Sequence, residues 1–168
     1  NASFRSELGL AENTILMGMV GNFVPGRDHM TICRFINKLK DQYINFHFVF
    51  IGKKTDAYPE LYDTCYKYCQ QNNLLKYVSF LGSRNDVPLL LPQLDAFVYA
   101  TDHDTFGIAV VEAMLAAVPV IVNDWEVMRE ISDNGKYVTL YKTKDEEDLL
   151  TQIMAFVNDK DEFRKKAM

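Results

Sequence analysis

The sequence has few cysteines, glycines and prolines. Three Cys, eight Gly and five Pro occur in 168 residues, which excludes a disulfide framework and a collagen-like or low-complexity chain. The pair Cys65 and Cys69 has helical rather than metal-site spacing. We therefore expect the three cysteines to be reduced, half-buried thiols of a cytosolic protein.

Long hydrophobic runs and an excess of cations are also lacking. The longest apolar run, Ala113 to Val122, has ten residues and is interrupted by Pro119, whereas a membrane span needs roughly 20. No transmembrane segment and no signal peptide are therefore expected. The chain has 18 Lys and Arg against 23 Asp and Glu, which gives a net charge of −5. The Lys and Arg residues are scattered along the sequence. Nucleic-acid binding needs clustered cations, so no nucleic-acid partner is expected.

Apolar residues are plentiful, at 48% of the chain. A chain of this length buries roughly two thirds of the surface that its unfolded form exposes, so residues 1–168 can fold as one domain without a metal or disulfide. The chain begins with Asn1 and Ala2 and without an initiator Met. We interpret these two residues as a cloning remnant and the chain as part of a longer protein.

Short apolar runs that are typical of buried strands alternate with segments of helical period. The predicted strands are Ile15 to Val20, Phe46 to Ile51, Tyr77 to Leu81, Ala96 to Ala100, Pro119 to Val122 and Tyr137 to Leu140. The predicted helices are Phe4 to Leu8, Met30 to Leu39, Pro59 to Gln70, Val87 to Leu91, Ile108 to Ala117, Val127 to Ile131 and Glu146 to Val157. This alternation predicts an α/β fold: a Rossmann-like, doubly wound sheet of about six parallel strands with helices on both faces.

The loops after the strands are where such a sheet binds ligands. The first three of these loops, Gly21 to Asp28, Gly52 to Lys54 and Gly82 to Arg84, each contain glycine and a cation. A single glycine there either relieves a tight turn or lets the backbone approach a ligand. Three in equivalent places, accompanied by cations, favour an anionic ligand.

The fourth loop, Thr101 to Gly107, leads into a predicted helix. Asp104 or Thr105 is the expected N-cap, and the free N–H groups of a helix that begins near Phe106 would suit a phosphate. The stretch Asp102 to Asp104 is also able to hold a divalent cation. Three adjacent polar side chains in an extended loop point in different directions, however, and no further hard-metal ligands are evident, so no metal is expected.

Glu112 is unusual because its helical neighbours are all apolar: Ile108, Ala109, Leu115 and Ala116. A carboxylate on an apolar face is costly to bury without a partner. Either a structural partner such as a backbone N–H or Arg129 satisfies it, or its two oxygens accept hydrogen bonds from the vicinal hydroxyls of a ribose.

Taken in order, these residues resemble the signature of the retaining glycosyltransferases of the GT-B fold known as group 1, or family 4. The resemblance rests on Asp104 to Gly107, Glu112 to Met114, Val118 to Val122, Leu8 to Leu10, Val20 with Gly21, Phe80 to Gly82, and Glu130 with Ile131. It covers essentially the whole chain. It implies one half of a GT-B enzyme, the C-terminal domain, whose donor site faces an N-terminal acceptor domain that this chain lacks.

The resemblance also implies residue roles. Asp104, Glu112 and Arg27 would be catalytic: Asp104 would hold the hydroxyls of the donor sugar, Glu112 the ribose, and Arg27 the diphosphate. The implied donor-binding residues are Gly21, Asn22, Arg27, Gly82, Ser83, Arg84, Asp104, Thr105, Phe106, Gly107, Ile108 and Glu112. Within this set the N–H groups of Phe106 and Gly107 would meet the sugar-phosphate end, and the Gly82 to Arg84 loop would bracket the nucleobase. No cofactor and no metal are implied.

The chain departs from the family pattern at two positions. Asp104 stands where the family has Glu, one methylene longer, and Asn22 stands where it has Arg. Arg27 replaces the family's Lys and can pair two phosphate oxygens. It is then the only matched cation unless Lys53 or Lys54 assists.

The expected function is transfer of a hexosyl group from a nucleotide diphosphate sugar, with retention of configuration, to an unknown glycan, lipid or small-molecule acceptor. The isolated domain should be inactive, since half of the cleft is missing. Two alternatives remain: a nucleotide-binding module that has lost catalysis, which the two departures favour, and a nucleotide-sugar 2-epimerase of related architecture. A cytoplasmic location is expected, with the longer protein able to lie at a membrane surface.

Overall fold

A computed structural model of the chain describes residues 3–103 and 106–168. Its strands form one parallel sheet in the order β3-β2-β1-β4-β5-β6. They are β1 (Ile15–Val20), β2 (Phe46–Ile51), β3 (Val78–Gly82), β4 (Ala96–Tyr99), β5 (Val120–Asn123) and β6 (Thr139–Tyr141). This is the strand order of a doubly wound, Rossmann-like sheet, so the predicted fold class is confirmed.

Helices connect the strands. They are α1 (Phe4–Glu7), α2 (His29–Leu39), α3 (Pro59–Gln71), α4 (Val87–Leu90), α5 (Ile108–Leu115), α6 (Glu126–Ile131), α7 (Glu146–Asn158) and α8 (Lys160–Ala167). The α2 helix begins after Asp28, whose carboxylate accepts a hydrogen bond from the Thr31 N–H, as an N-cap residue does. Within the described ranges, no helix is long and apolar enough to cross a membrane.

The centre of the sheet is β1, which pairs with β2 along its whole length, from Ile15 opposite Phe46 to Val20 opposite Ile51. Its other neighbour is β4, where Met17 lies opposite Ala96. Every residue of β2 is buried, because helices cover both faces of the sheet. This explains why β1 and β2 read in the sequence as apolar runs in which His47 is the only polar side chain.

The cysteines lie deeper than expected. Cys33 on α2 and Cys65 and Cys69 on α3 are at most 1% exposed, so the prediction of half-buried thiols is wrong. The reason is that α2 and α3 pack against each other, and the cysteines lie on the packed sides of both helices.

The end of α5 carries a strained residue. Ala117 has a left-handed φ of 59°, which costs a residue with a Cβ roughly 1–2 kcal/mol. We expect Ala117→Gly to raise the free energy of unfolding by about 0.5–1 kcal/mol, since glycine adopts this conformation freely but has more unfolded-state entropy to lose. Urea denaturation measures the change. The neighbouring Ala116→Gly is the matched control, because Ala116 has a right-handed φ of −80°. A gain of the same size there would show that strain is not the cause.

Candidate functional site

A cavity of about 400 Å³ lies at the carboxyl edge of the sheet, where the strand order reverses between β1 and β4. Open parallel sheets bind ligands in the crevice outside the carboxyl ends of the strands at such a reversal. Eight of the twelve predicted donor-binding residues line it: Gly21, Asn22, Arg27, Ser83, Arg84, Phe106, Ile108 and Glu112. Gly82 and Gly107 are adjacent in the chain to lining residues, while Asp104 and Thr105 lie outside the described residues.

One side of the cavity is built from the loops after β1 and β2. The Gly21 N–H donates to the Ile51 carbonyl at 2.8 Å, and the Asn22 side-chain oxygen accepts from the Lys53 N–H at 2.9 Å. A Cβ at Gly52 would lie 2.0 Å from the Gly21 carbonyl oxygen, so only glycine permits this approach. The glycine at the end of β2 therefore serves loop packing, and Asn22 ties the two loops together.

The loops after β1 and β4 are also joined. The Gly26 carbonyl accepts from the Asp102 N–H at 2.9 Å and from the Thr101 hydroxyl at 2.8 Å. A Cβ at Gly26, whose φ is 93°, would lie 2.7 Å from the His103 carbonyl oxygen. Next to it, Arg27 Nη1 donates to that same carbonyl at 3.5 Å. These contacts fix the Arg27 backbone and side chain at the wall of the cavity.

Arg84 is bound by two carboxylates. Its guanidinium donates to Glu7 at 2.7 and 3.2 Å and to Asp86 at 2.7 and 2.9 Å. The hydrogen bond to Asp86, followed by the one to Glu7, raises the pKa of Arg84, and the bonds from Arg84 lower the pKa of Asp86 and of Glu7. Arg84 therefore shapes the cavity but brings no net positive charge to it.

The lysines after β2 do not supply the cation that Asn22 leaves out. Lys54 Nζ lies 2.7 Å from the Asp63 carboxylate and 5.7 Å from the centre of the Tyr62 ring. Among the described residues, those that line the cavity include neither Lys53 nor Lys54. Assistance from Lys54 is thus not supported, because a carboxylate of α3 already holds its ammonium.

The predicted start of α5 is confirmed, but its N-cap residue is not one of those expected. The helix begins at Ile108 and its N-cap residue is Gly107, with a left-handed φ of 63° and no side-chain cap. The left-handed φ favours glycine at this position, and a Cβ at Gly107 would also lie in a tight contact, 3.0 Å from Ile131 Cδ1 on α6. The N-cap position is therefore Gly107, whereas the expected N-cap residues Asp104 and Thr105 lie outside the described residues.

Glu112 is exposed rather than buried. Its neighbours Ile108 and Leu115 are 63% and 83% exposed, so the apolar face of α5 is open and water can reach the carboxylate. The suggested structural partner Arg129 instead donates to Asp124, at 3.4 Å to the carboxylate and 3.2 Å to the carbonyl. Glu112 and Ile108 both line the cavity, which leaves the carboxylate available to a ligand.

Asp102 is paired with a residue that sequence reasoning missed. Lys144 Nζ lies 2.8 Å from the Asp102 carboxylate and 3.5 Å from that of Asp28. The described part of the chain holds no group of three or more His, Cys, Asp or Glu suited to a metal ion. The carboxylate of Asp102 therefore forms an ion pair with the Lys144 ammonium.

The fold is a doubly wound parallel sheet with a cavity at the reversal of strand order, an architecture that many nucleotide-binding domains share. The family model described as glycosyl transferases group 1 matches residues 1–167, and the chain belongs to that family.

Individual relatives agree. The chain is similar to the UDP-Gal:alpha-D-GlcNAc-diphosphoundecaprenol alpha-1,3-galactosyltransferase of Escherichia coli, with 28% identity over 119 residues. The match covers 70% of this chain and 30% of that protein. Anabaena Alr3699/HepE, solved in complex with UDP and glucose, superposes with a TM-score of 0.88 at 21% identity over 97% of this chain and 44% of that chain. The C-terminal domain of the group 1 family protein LpcC from Francisella tularensis superposes with a TM-score of 0.78 at 21% identity over 90% of this chain and 79% of that chain. The chain spans 24 to 30% of the length of the curated relatives it matches.

Proposed function

We propose that this chain is the donor-binding domain of a retaining hexosyltransferase and that it binds a nucleotide diphosphate sugar in the cavity at the carboxyl edge of its sheet. The carrying observation is that the fold brings Arg27, Glu112 and the start of α5 to one cavity. The names of two similar proteins support a UDP-sugar: HepE was solved with UDP and glucose, and the Escherichia coli relative is named for UDP-Gal.

The chemistry follows from the charges at the cavity. Glu112 accepts hydrogen bonds from the ribose hydroxyls, because an ionised carboxylate is an acceptor only. Arg27 and the N–H groups that begin α5 stabilise the diphosphate as it leaves. Asp104 holds the donor sugar, and the Gly82 to Arg84 loop contacts the base. The helix dipole and Arg27 neutralise the leaving group without a metal or cofactor.

The acceptor site belongs to a second domain of a longer protein. This chain covers less than half of the HepE chain. The acceptor is a glycan, a lipid or a small molecule, and the longer protein works in the cytoplasm or at a membrane surface. The 168-residue chain alone has no transferase activity, since the acceptor contacts are missing.

The test is a calorimetric titration of the 168-residue chain with UDP, GDP, ADP and the three parent nucleosides. Binding of one diphosphate, more tightly than its nucleoside, is expected; absence of binding to all of them would overturn the proposal. In a longer protein that contains the chain, transfer with retention is expected. Binding without transfer or hydrolysis would identify an inactive module, and epimer formation without an acceptor would identify an epimerase.

Glu112→Gln separates a binding role from a structural one. We expect about tenfold weaker binding of the nucleoside diphosphate, because one acceptor oxygen becomes a donor and a charged hydrogen bond is lost. The free energy of unfolding should change by less than about 0.5 kcal/mol, since the side chain is exposed. Glu126→Gln, an exposed carboxylate on α6, is the control. Unchanged affinity with altered stability would make Glu112 structural.

A further inference from the structure

Two carboxylates lie beside the loop that carries Arg27. Asp28 follows Arg27 in the chain and is 9% exposed, and Asp102 is in the loop after β4. The two loops run side by side, because Arg27 forms a β-bridge with Thr101 and the Asp28 N–H donates to the Ala100 carbonyl at 3.0 Å. Arg27 lines the site cavity and also a second cavity, which Asp28 and Asp102 line as well, so a diphosphate bound at Arg27 would lie beside two negative charges.

Lys144 connects these carboxylates. Its ammonium is 2.8 Å from Asp102 Oδ2 and 3.5 Å from Asp28 Oδ2, and the hydrogen bond to Asp102 raises the pKa of Lys144. With Lys144 present the three side chains carry a net charge of −1, and without it they carry −2. The lysine thus cancels half of the negative charge that faces the Arg27 loop.

The backbone around Lys144 is built to hold it there. Asp124 accepts hydrogen bonds from the Thr143 N–H at 3.0 Å and from its hydroxyl at 2.7 Å. The buried Asn123 side chain donates to the Thr143 hydroxyl at 2.9 Å and to the Thr101 carbonyl at 2.7 Å. Lys144 itself has a left-handed φ of 60°, a conformation that costs a residue with a Cβ and persists where the surroundings impose it.

We propose that Lys144 is a positioning residue for the donor diphosphate: by bridging Asp102 and Asp28 it removes a repulsion that would otherwise oppose diphosphate binding at Arg27. The inference rests on the proposed function. Lys144 acts through the two carboxylates and touches no ligand. Its effect must therefore depend on the charge of the ligand and on the presence of Asp102.

The experiment titrates UDP, GDP, ADP and their nucleosides into the 168-residue chain and its variants. Lys144→Met should weaken binding of the diphosphate about tenfold and change nucleoside binding less than about twofold. Lys144→Arg should keep the wild-type affinity for the diphosphate, because a guanidinium can bridge the same carboxylates. Asp102→Asn combined with Lys144→Met should also restore most of it, since the repelling charge is gone.

Lys142→Met is the matched control, an exposed lysine of the same loop that loses the same charge. The inference would be overturned if Lys144→Met weakened diphosphate and nucleoside binding equally, or if it left diphosphate affinity unchanged. It would also be overturned if the double variant bound the diphosphate as weakly as Lys144→Met does. A wild-type chain that binds none of the diphosphates would instead overturn the proposed function, and this inference with it. Circular dichroism of each variant checks that it is folded.

Discussion

Replacing Arg27 with alanine is expected to weaken binding of a nucleoside diphosphate by about 10- to 100-fold, while binding of the parent nucleoside changes by less than about twofold. A hydrogen bond to a charged group contributes about 1.5–3 kcal/mol, and Arg27 is the cation at the wall of the cavity where the diphosphate is proposed to lie. The nucleoside has no phosphate and loses little. Calorimetric titration of both ligands into both proteins measures the difference.

Salt dependence and a matched variant test this assignment further. The Arg27 effect should shrink as ionic strength approaches the molar range, because the cation and the phosphate are both reached by solvent. Lys53→Ala removes an exposed cation from the neighbouring loop and should change neither affinity. Equal losses for diphosphate and nucleoside would show that Arg27 only supports the loop through its contact with the His103 carbonyl.

The sheet could be predicted from the sequence because burial on both faces leaves a local trace. The bounds of β1 and β2 agree with the prediction to the residue, since each is an apolar run that ends at glycine or before a polar loop. The β6 strand begins two residues and ends one residue later than predicted, because Tyr137 fits the apolar pattern but is 46% exposed. The α5 helix stops before Ala117, and no glycine marks the left-handed turn there.

The loops of the site could also be predicted, since parallel strands bring their carboxyl ends to one edge. What the sequence does not show is which partners the charges find. Arg84 is neutralised by Glu7, 77 residues away, and Asp102 by Lys144, which follows the edge strand β6. Helical period likewise marks the apolar face around Glu112 but not whether another element covers it. Which charges pair and which helix faces are covered depend on the topology of the fold, and the local sequence pattern does not encode either.

Acidification is expected to destabilise the fold through His29, which is 3% exposed. Its Nε2 lies 3.1 Å from the Gly21 carbonyl, and its ring stacks on Phe23 at 3.8 Å. Burial lowers the pKa of His29 to about 4, against about 6.5 in the unfolded chain. Between these values the unfolded chain binds more protons, so the free energy of unfolding falls as pH falls, by about 3 kcal/mol in all.

Urea denaturation between pH 7.5 and 5 measures this loss above the range where most carboxylates titrate. About 1.5 kcal/mol of the His29 contribution should appear between pH 6.5 and 5. His29→Gln keeps a donor for the Gly21 carbonyl but cannot be protonated, so the pH dependence should flatten by that amount even where overall stability is lower. His47, whose pKa burial also lowers, supplies a remaining slope in both proteins. His103→Gln, at an exposed histidine, is the control. If the free energy of unfolding falls equally with pH in His29→Gln and in the wild type from pH 7.5 to 5, protonation of His29 does not destabilise the fold.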